Sequence, residues 1–126
     1  MIKAIHHISL GAPGTEGFEK AMQFYTGLLG LTEIRRWGVR PAGGAMLDGG
    51  SCILEIMANG AEETVKGRWG HIAFQVENTD ELCEKIRRAG YEITMEPCDK
   101  DINGYHIRIC FCIGPCGEEI ELLQEL

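Results

Sequence analysis

A chain of 126 residues is long enough for one domain, or for two half-size modules that share a core. Its hydrophobic content of 44% and charged content of 25% are ordinary for a globular protein, and its net charge of −7 argues against nucleic acid or an anionic membrane as a partner. The sequence contains no apolar run of transmembrane length and no signal-peptide core. We therefore expect a cytoplasmic protein whose six cysteines are reduced thiols.

The first half of the chain predicts a strand, a helix and three further strands. Thr15 is the expected N-cap of a helix whose apolar side chains recur at helical spacing as far as Leu29, and Gly30 is the expected stop. The turn Asp48-Gly49-Gly50 joins the last two strands as a hairpin. The predicted strands cover residues 3–11, 31–37, 43–47 and 51–57, and residues 59–67 read as a linker.

The second half predicts the same order of elements. Asn78, Thr79 and Asp80 offer caps for a helix that Gly90 ends. A polar loop is expected over residues 99–104, followed by a hairpin. The predicted strands cover residues 69–77, 91–95, 105–113 and 118–123. The chain is thus predicted to be a single domain over 1–126, with one module over 1–60 and the other over 68–126.

A histidine and a glutamate recur at matched places in the two halves. His7 and Glu55 are 48 residues apart, and His71 and Glu121 are 50 residues apart. In each half the histidine lies on the first strand and the glutamate on the last, so the chain contains an internal repeat of about half its length. A carboxylate that faces inward from an apolar strand is costly unless it is paired or bound to a metal.

Two imidazoles and two carboxylates together suit a divalent cation. Imidazole is a ligand for nickel, zinc, cobalt and iron, and carboxylates favour octahedral coordination. Four protein ligands leave two positions open for water or for two adjacent oxygens of a substrate, which is typical of a catalytic site.

Simpler interpretations exist for each residue alone. A single strand histidine is usually structural, and a single glutamate usually forms a salt bridge. His6 is expected to point away from the face of His7 and to be structural. A thiolate zinc site at Cys110, Cys112 and Cys116 is possible, but small buried side chains are the favoured interpretation because no C-x-x-C pair is present.

At these residues the chain resembles the vicinal oxygen chelate superfamily, and glyoxalase I most of all. The resemblance spans nearly the whole chain and implies an α+β fold of two paired βαβββ modules around a metal cleft. By that likeness the metal ligands are His7, Glu55, His71 and Glu121, and Glu121 is also the catalytic base. The matching motifs are His7-Ile8-Ser9-Leu10, Phe24-Tyr25 with Leu29-Gly30-Leu31, Ile53-Leu54-Glu55-Ile56, Gly70-His71-Ile72-Ala73, and Gly117 with Ile120-Glu121-Leu122.

The resemblance also implies a reaction. The metal, nickel or cobalt by preference and zinc as a possibility, would chelate an α-ketoaldehyde hemithioacetal while a proton moves between adjacent carbons through an enediolate. The small-molecule substrate would be the main partner, within a homodimer whose metal sites lie at the subunit interface.

Three positions bear on the substrate. The glutathione-binding enzymes carry an arginine four residues after the first histidine, where this chain has Gly11. Residues 14–17 are expected to lengthen the first loop. Asn59, four residues after the first glutamate, matches a substrate-binding asparagine of those enzymes. The substrate therefore stays open, since the hemithioacetal of another thiol, or another small α-hydroxy or α-keto compound, would fit equally well.

Three other activities share the scaffold. An epimerase of the methylmalonyl-CoA type uses the same proton chemistry, although its second ligand is usually Gln rather than Glu. An extradiol-type dioxygenase would bind iron through His7, His71 and Glu121, which leaves Glu55 unexplained. A non-enzymatic drug-binding protein would lack the ligand set.

Overall fold

The computed structural model describes residues 1, 3–38, 43–60, 70–102 and 104–126. The chain divides into two compact units, Met1–Thr64 and Val65–Leu126. Over the described residues, none of the helices combines the length and the apolar character that a membrane-spanning helix requires.

The first unit is a four-stranded mixed sheet with one helix. Strand order is β1-β4-β3-β2, with β1 parallel to β4 and the other pairs antiparallel. Helix α1 packs on β1 and β4 and continues into a π-helical turn. The elements are β1 (His7–Pro13), α1 (Gly14–Met22), the π-helical turn (Gln23–Leu28), β2 (Thr32–Trp37), β3 (Gly44–Asp48) and β4 (Ile53–Gly60).

The second unit repeats this topology. Its strand order is β5-β8-β7-β6, again with the first and last strands parallel and the others antiparallel. Helix α2 packs on β6, β7 and β8. The elements are β5 (Ile72–Gln75), α2 (Thr79–Arg88), β6 (Ile93–Ile102), β7 (Tyr105–Ile113) and β8 (Glu119–Glu125). The predicted α+β class, built from two βαβββ modules, is confirmed.

The two cores are filled differently. In the first unit the buried side chains include three aromatic rings, those of Phe18, Phe24 and Tyr25. In the second unit the space under α2 is filled by sulfur and aliphatic groups, as expected for buried thiols that act as small apolar side chains. The buried thiols are Cys83, Cys110, Cys112 and Cys116.

The first helix differs from its prediction at both ends. It begins at Gly14, which has a φ of 63°, and Thr15 lies inside it, so the expected cap at Thr15 is wrong. Residues 14–17 therefore lengthen the helix and not the loop before it. The α-helix ends at Met22, and the π-helical turn that follows is closed by the amide of Leu29, which donates to the carbonyl of Phe24 at 3.0 Å.

The second unit departs from prediction at its edge strand. Residues 99–102, predicted as a loop, continue β6, which lies at the edge of the sheet. Charged side chains and a proline, here Pro97, are tolerated on an edge strand because one side of the backbone is unpaired. Asn78 caps α2 as predicted, accepting a hydrogen bond from the amide of Glu81 at 3.0 Å. Trp69, the predicted start of the first strand in this half, lies outside the described residues.

Candidate metal centre

In the first unit, parallel pairing of β1 and β4 brings the candidate glutamate next to a serine. Ser9 is the register partner of Glu55, and the hydroxyl of Ser9 donates a hydrogen bond to Oε1 of Glu55 at 2.9 Å. His7 lies two residues before Ser9 and therefore on the same face of the sheet. The opposite face of β4 carries the buried side chains of Leu54 and Ile56, so the polar residues occupy the face turned away from the core.

His6 contacts His7. The Nδ1 atoms of the two rings are 2.9 Å apart, and the rings meet edge to face with centroids 5.2 Å apart. Because β1 begins at His7, strand alternation does not direct His6 away from the candidate ligand, contrary to the expectation from sequence. When one Nδ1 donates to the other, the donor histidine keeps a free Nε2 lone pair for a metal.

In the second unit the imidazole and the carboxylate touch. Nε2 of His71 is 3.0 Å from Oε2 of Glu121. Glu121 is 8% exposed and the side chain of His71 is 43% exposed, so the pair is accessible from the imidazole side. Phe111 pairs in register with Glu121, and its ring meets that of His71 edge to face at 5.3 Å. The aromatic ring thus covers one side of the pair.

The chemistry of this pair suits a divalent ion. An imidazole nitrogen and a carboxylate oxygen are both metal ligands, and Nε2 and Oε2 lie side by side at 3.0 Å, so the pair could hold an ion together with further ligands. Within neither unit, over the residues that the structure describes, do three or more His, Cys, Asp or Glu side chains gather in a group suited to a metal ion. Each unit thus supplies one imidazole and one carboxylate on a common sheet face.

The register of the two pairs is the same. Glu55 stands opposite Ser9, two residues after His7, and Glu121 stands opposite Ala73, two residues after His71. The repeat predicted from the spacing of histidine and glutamate in the sequence is therefore also present in the register of the paired strands.

The Glu55 face of the first unit continues into an apolar area. A side chain at Gly44 would lie 2.7 Å from both the sulfur of Met57 and the ring of Trp37. Because Gly44 pairs in register with each of them, these two groups lean together over a glycine on the same sheet face as Glu55. Asn59 follows on the same strand face and is exposed.

The backbone is tightly packed where the glutathione enzymes would carry their arginine. A Cβ at Gly11 would lie 3.2 Å from Cα of Gly60, and a Cβ at Gly60 would overlap the Gly11 carbonyl. The missing arginine therefore coincides with a close approach of two strands.

Sequence reasoning missed two neighbours of the candidate ligands, Ser9 and Phe111, and wrongly directed His6 away from His7. Ser9 shares a face with His7 in any strand, which is a signal, but its partner Glu55 is 46 positions away and is identified only by strand register. Phe111 likewise meets His71 through the pairing of β7 with β8.

Two repeated βαβββ units, each with a histidine and a glutamate at equivalent strand positions, define the class of paired-module proteins that the sequence resembles. The family model of the Glyoxalase/Bleomycin resistance protein/Dioxygenase superfamily matches residues 4–122. The chain is 31% identical over 117 residues to the lactoylglutathione lyase of Escherichia coli O157:H7, which covers 85% of this chain and 84% of that protein. The chain therefore belongs to the glyoxalase/bleomycin resistance protein/dioxygenase superfamily.

Solved structures agree. The trypanothione-dependent glyoxalase I of Leishmania major is similar with a TM-score of 0.75 and 26% identity, covering 98% of this chain and 88% of that one. The fosfomycin resistance protein FosX of Listeria monocytogenes has a TM-score of 0.78 at 23% identity, covering 100% of this chain and 96% of that one, and shows the shared fold. The relatives together support a glyoxalase-type activity.

Proposed function

We propose that this protein is a metal-dependent lyase of the glyoxalase I type, which moves a proton between adjacent carbons of an α-ketoaldehyde hemithioacetal. The observation that carries the proposal is the contact between His71 and Glu121 at 3.0 Å, at the same register that His7 and Glu55 occupy in the other unit. The similarity to named lactoylglutathione lyases supports the reaction type.

The proposed ligands are His7, Glu55, His71 and Glu121. Two neutral imidazoles and two carboxylates balance the charge of a divalent ion and favour nickel or cobalt, with zinc as a further possibility. Such an ion, when bound, supplies Lewis acidity that stabilises the negative charge developing on the substrate oxygens.

Glu121 is the proposed base. Its carboxylate is nearly buried and has His71 on one side, with the methyl group of Ala73 at the paired position on β5. A general base needs a free oxygen within hydrogen-bond reach of the proton that it takes. Glu121 would remove the proton from one carbon and return it to the next, and Phe111 would cover one side of the pair.

The thiol part of the substrate need not be glutathione. The close approach of Gly11 to Gly60 means that an arginine at residue 11 would require a shift of the neighbouring strand, whereas Asn59 is present on the Glu55 face as a proposed substrate-binding residue. The similar Leishmania enzyme is trypanothione-dependent, so a glyoxalase I of this fold can use a different thiol.

Two measurements test the proposal. Elemental analysis of the purified protein should find about one divalent ion per proposed site, with nickel or cobalt giving the highest turnover on reconstitution. Methylglyoxal incubated with glutathione and with several other thiols should then be converted to the 2-hydroxy thioester. If no hemithioacetal turns over and no α-proton exchanges with solvent, the lyase hypothesis is wrong. Epimerisation of an acyl-CoA, ring opening of a catechol with iron, or drug binding without metal would identify the alternative.

We further propose that the protein is a cytoplasmic homodimer. Both sheets have open edges at β1 and β5 among the described strands, and such edges favour association. All six cysteines are free, as expected in a reducing compartment. Light scattering that gives the monomer mass across micromolar concentrations, with full activity, would rule out the dimer.

A further inference from the structure

The two candidate carboxylates differ in one neighbouring oxygen atom. At the register position opposite Glu55 the chain has Ser9, and at the position opposite Glu121 it has Ala73. These two positions are equivalent in the repeat, since each lies two residues after the candidate histidine. The repeat therefore contains its own internal comparison, in which a hydroxyl is present beside one glutamate and absent beside the other.

The hydroxyl restricts what Glu55 can do. Ser9 donates to Oε1 of Glu55 at 2.9 Å in an exposed contact, which gives that oxygen a protein donor and favours one orientation of the side chain. A hydrogen bond to an ionised acceptor is shorter and stronger than one between neutral groups. Glu55 therefore presents its second oxygen from a fixed position, which suits a ligand and not a group that must swing towards a carbon.

Glu121 has no hydroxyl donor of this kind. Among the described residues its Oε2 meets Nε2 of His71, itself a proposed ligand, at 3.0 Å, and Ala73 offers only a methyl group at the paired position. The second oxygen of Glu121 is thus left without a hydroxyl donor at the paired position. The oxygen that does not face His71 is then available to accept a substrate proton.

We propose that Ser9 is a positioning residue that divides the work between the two carboxylates, holding Glu55 as a fixed ligand and leaving Glu121 as the group that moves the proton. This inference rests on the proposed lyase function. It adds the physical reason why two glutamates at equivalent places in a repeat have different roles.

The experiment compares Ser9→Ala, Ser9→Thr and Ala73→Ser with the parent protein. Nickel affinity is measured by calorimetry on metal-free protein, and kcat and KM are measured with a methylglyoxal hemithioacetal at saturating nickel. Outer-shell partners of metal ligands are worth about 10- to 100-fold in affinity. Ser9→Ala should therefore bind nickel about tenfold more weakly, and Ser9→Thr should restore the affinity because it keeps the hydroxyl.

The reciprocal variant tests the other half of the inference. Ala73→Ser places a hydroxyl beside Glu121 and should lower kcat about tenfold, with KM and nickel affinity close to those of the parent. In a Ser9→Ala background, Glu55 is released, so Glu121→Gln should cost less than the roughly 10²-fold that it costs in the parent. Ser51→Ala, an exposed serine in the turn between β3 and β4, is the matched control and should leave affinity and kcat unchanged.

The outcomes separate this inference from the function on which it rests. Parent-like nickel affinity in Ser9→Ala, or parent-like kcat in Ala73→Ser, overturns the division of roles. If the parent turns over no hemithioacetal, the proposed lyase function is wrong. Weaker nickel binding by Ser9→Ala, restored in Ser9→Thr, would even then show that the Ser9 hydroxyl positions Glu55. Should Ser9→Ala not fold, the kcat of Ala73→Ser decides the inference.

Discussion

The two units place an imidazole and a carboxylate at equivalent register positions, yet they surround these groups differently. In the first unit Glu55 is half-buried and bonded to Ser9, whereas in the second Glu121 is nearly buried and touches His71 directly. A repeat thus conserves where the side chains stand, because strand pairing fixes that, while the neighbouring residues decide what each side chain can do.

The two hydrophobic cores show the same contrast, because equivalent sheets are packed with different side chains. The buried side chains of the first unit include three aromatic rings from α1 and the π-helical turn, and those of the second include four thiols, although both sheets have equivalent strand orders. Strand order depends on the pattern of apolar alternation, and many combinations of side chains of suitable volume satisfy that pattern.

The sharpest test of this comparison replaces the candidate glutamate of each unit with glutamine. Glu121→Gln keeps an oxygen ligand but cannot take a proton, so turnover should fall by about 10²-fold or more while the metal is retained. Glu55→Gln should cost much less at saturating metal, because Glu55 is assigned only a ligand's role. Steady-state assays and solvent deuterium exchange at the transferred carbon measure both variants. Full turnover in Glu121→Gln with loss in Glu55→Gln would reverse the roles of the two units.

Replacement of the two candidate histidines tests whether each unit contributes a ligand for metal binding. His71→Ala and His7→Ala should each lose measurable nickel binding by calorimetry, since each deletes a proposed ligand. His106→Ala is the matched control, because His106 is an exposed histidine 3.6 Å from Asp101 and has no assigned part in the site. Nickel binding by His71→Ala as tight as that of the parent would remove the second unit from the ligand assignment.

The thiol core of the second unit predicts a loss of stability in alkali. Burial raises the pKa of Cys112 to about 11 and that of Cys116 to about 12, from an ordinary value of 9.0. The folded state therefore holds these protons while the unfolded state releases them above pH 9, so their contribution to stability is complete below pH 9 and declines as pH rises to about 12. Urea unfolding at pH 8 and at pH 10.5 should differ by on the order of 1 kcal/mol more in the parent than in Cys112→Ala. An equal difference in both proteins would contradict this.

The smallest expected effect is a change in unfolding stability when an arginine that forms ion pairs is removed from either unit. Arg108 donates to Asp80 at 2.5 Å and to Asp99 at 2.7 Å, and its guanidinium holds the pKa of Asp80 below its usual range. This stabilisation is present above the ordinary pKa of aspartate and is lost as pH falls through the lowered value. Arg108→Leu should lower the urea midpoint slightly at pH 7, and the difference from the parent should shrink in acid.

Arg36→Leu in the first unit is the comparison for that variant. Arg36 pairs with Glu33 at 2.7 Å and is more exposed, with 45% of its side chain accessible against 27% for Arg108. Exposed pairs contribute little to stability, so Arg36→Leu should shift the midpoint less than Arg108→Leu. A larger shift for Arg36→Leu would show that exposure does not rank these pairs.

The sequence predicted those features that depend on local pattern. Apolar alternation and the turn residues yielded the βαβββ order, and the recurrence of His7 with Glu55 and His71 with Glu121 predicted which residues share a face. The hydrogen bond between Ser9 and Glu55 was not predicted, because it depends on the parallel register of two strands at opposite ends of a unit. The continuation of β6 was missed since charged residues on an edge strand look like a loop.

The close approach of Gly11 and Gly60 has a consequence for directed evolution of this chain. A library that varies residue 11 places a Cβ 3.2 Å from Cα of Gly60, so every variant there asks the neighbouring strand to shift slightly, and a Cβ at residue 60 would overlap the Gly11 carbonyl. Around Gly44, by contrast, the neighbouring groups are the side chains of Trp37 and Met57, which can change rotamer without a backbone shift. The Glu55 face thus has one area where backbone limits substitution and another where side chains do, and libraries of variants will be better tolerated in the second.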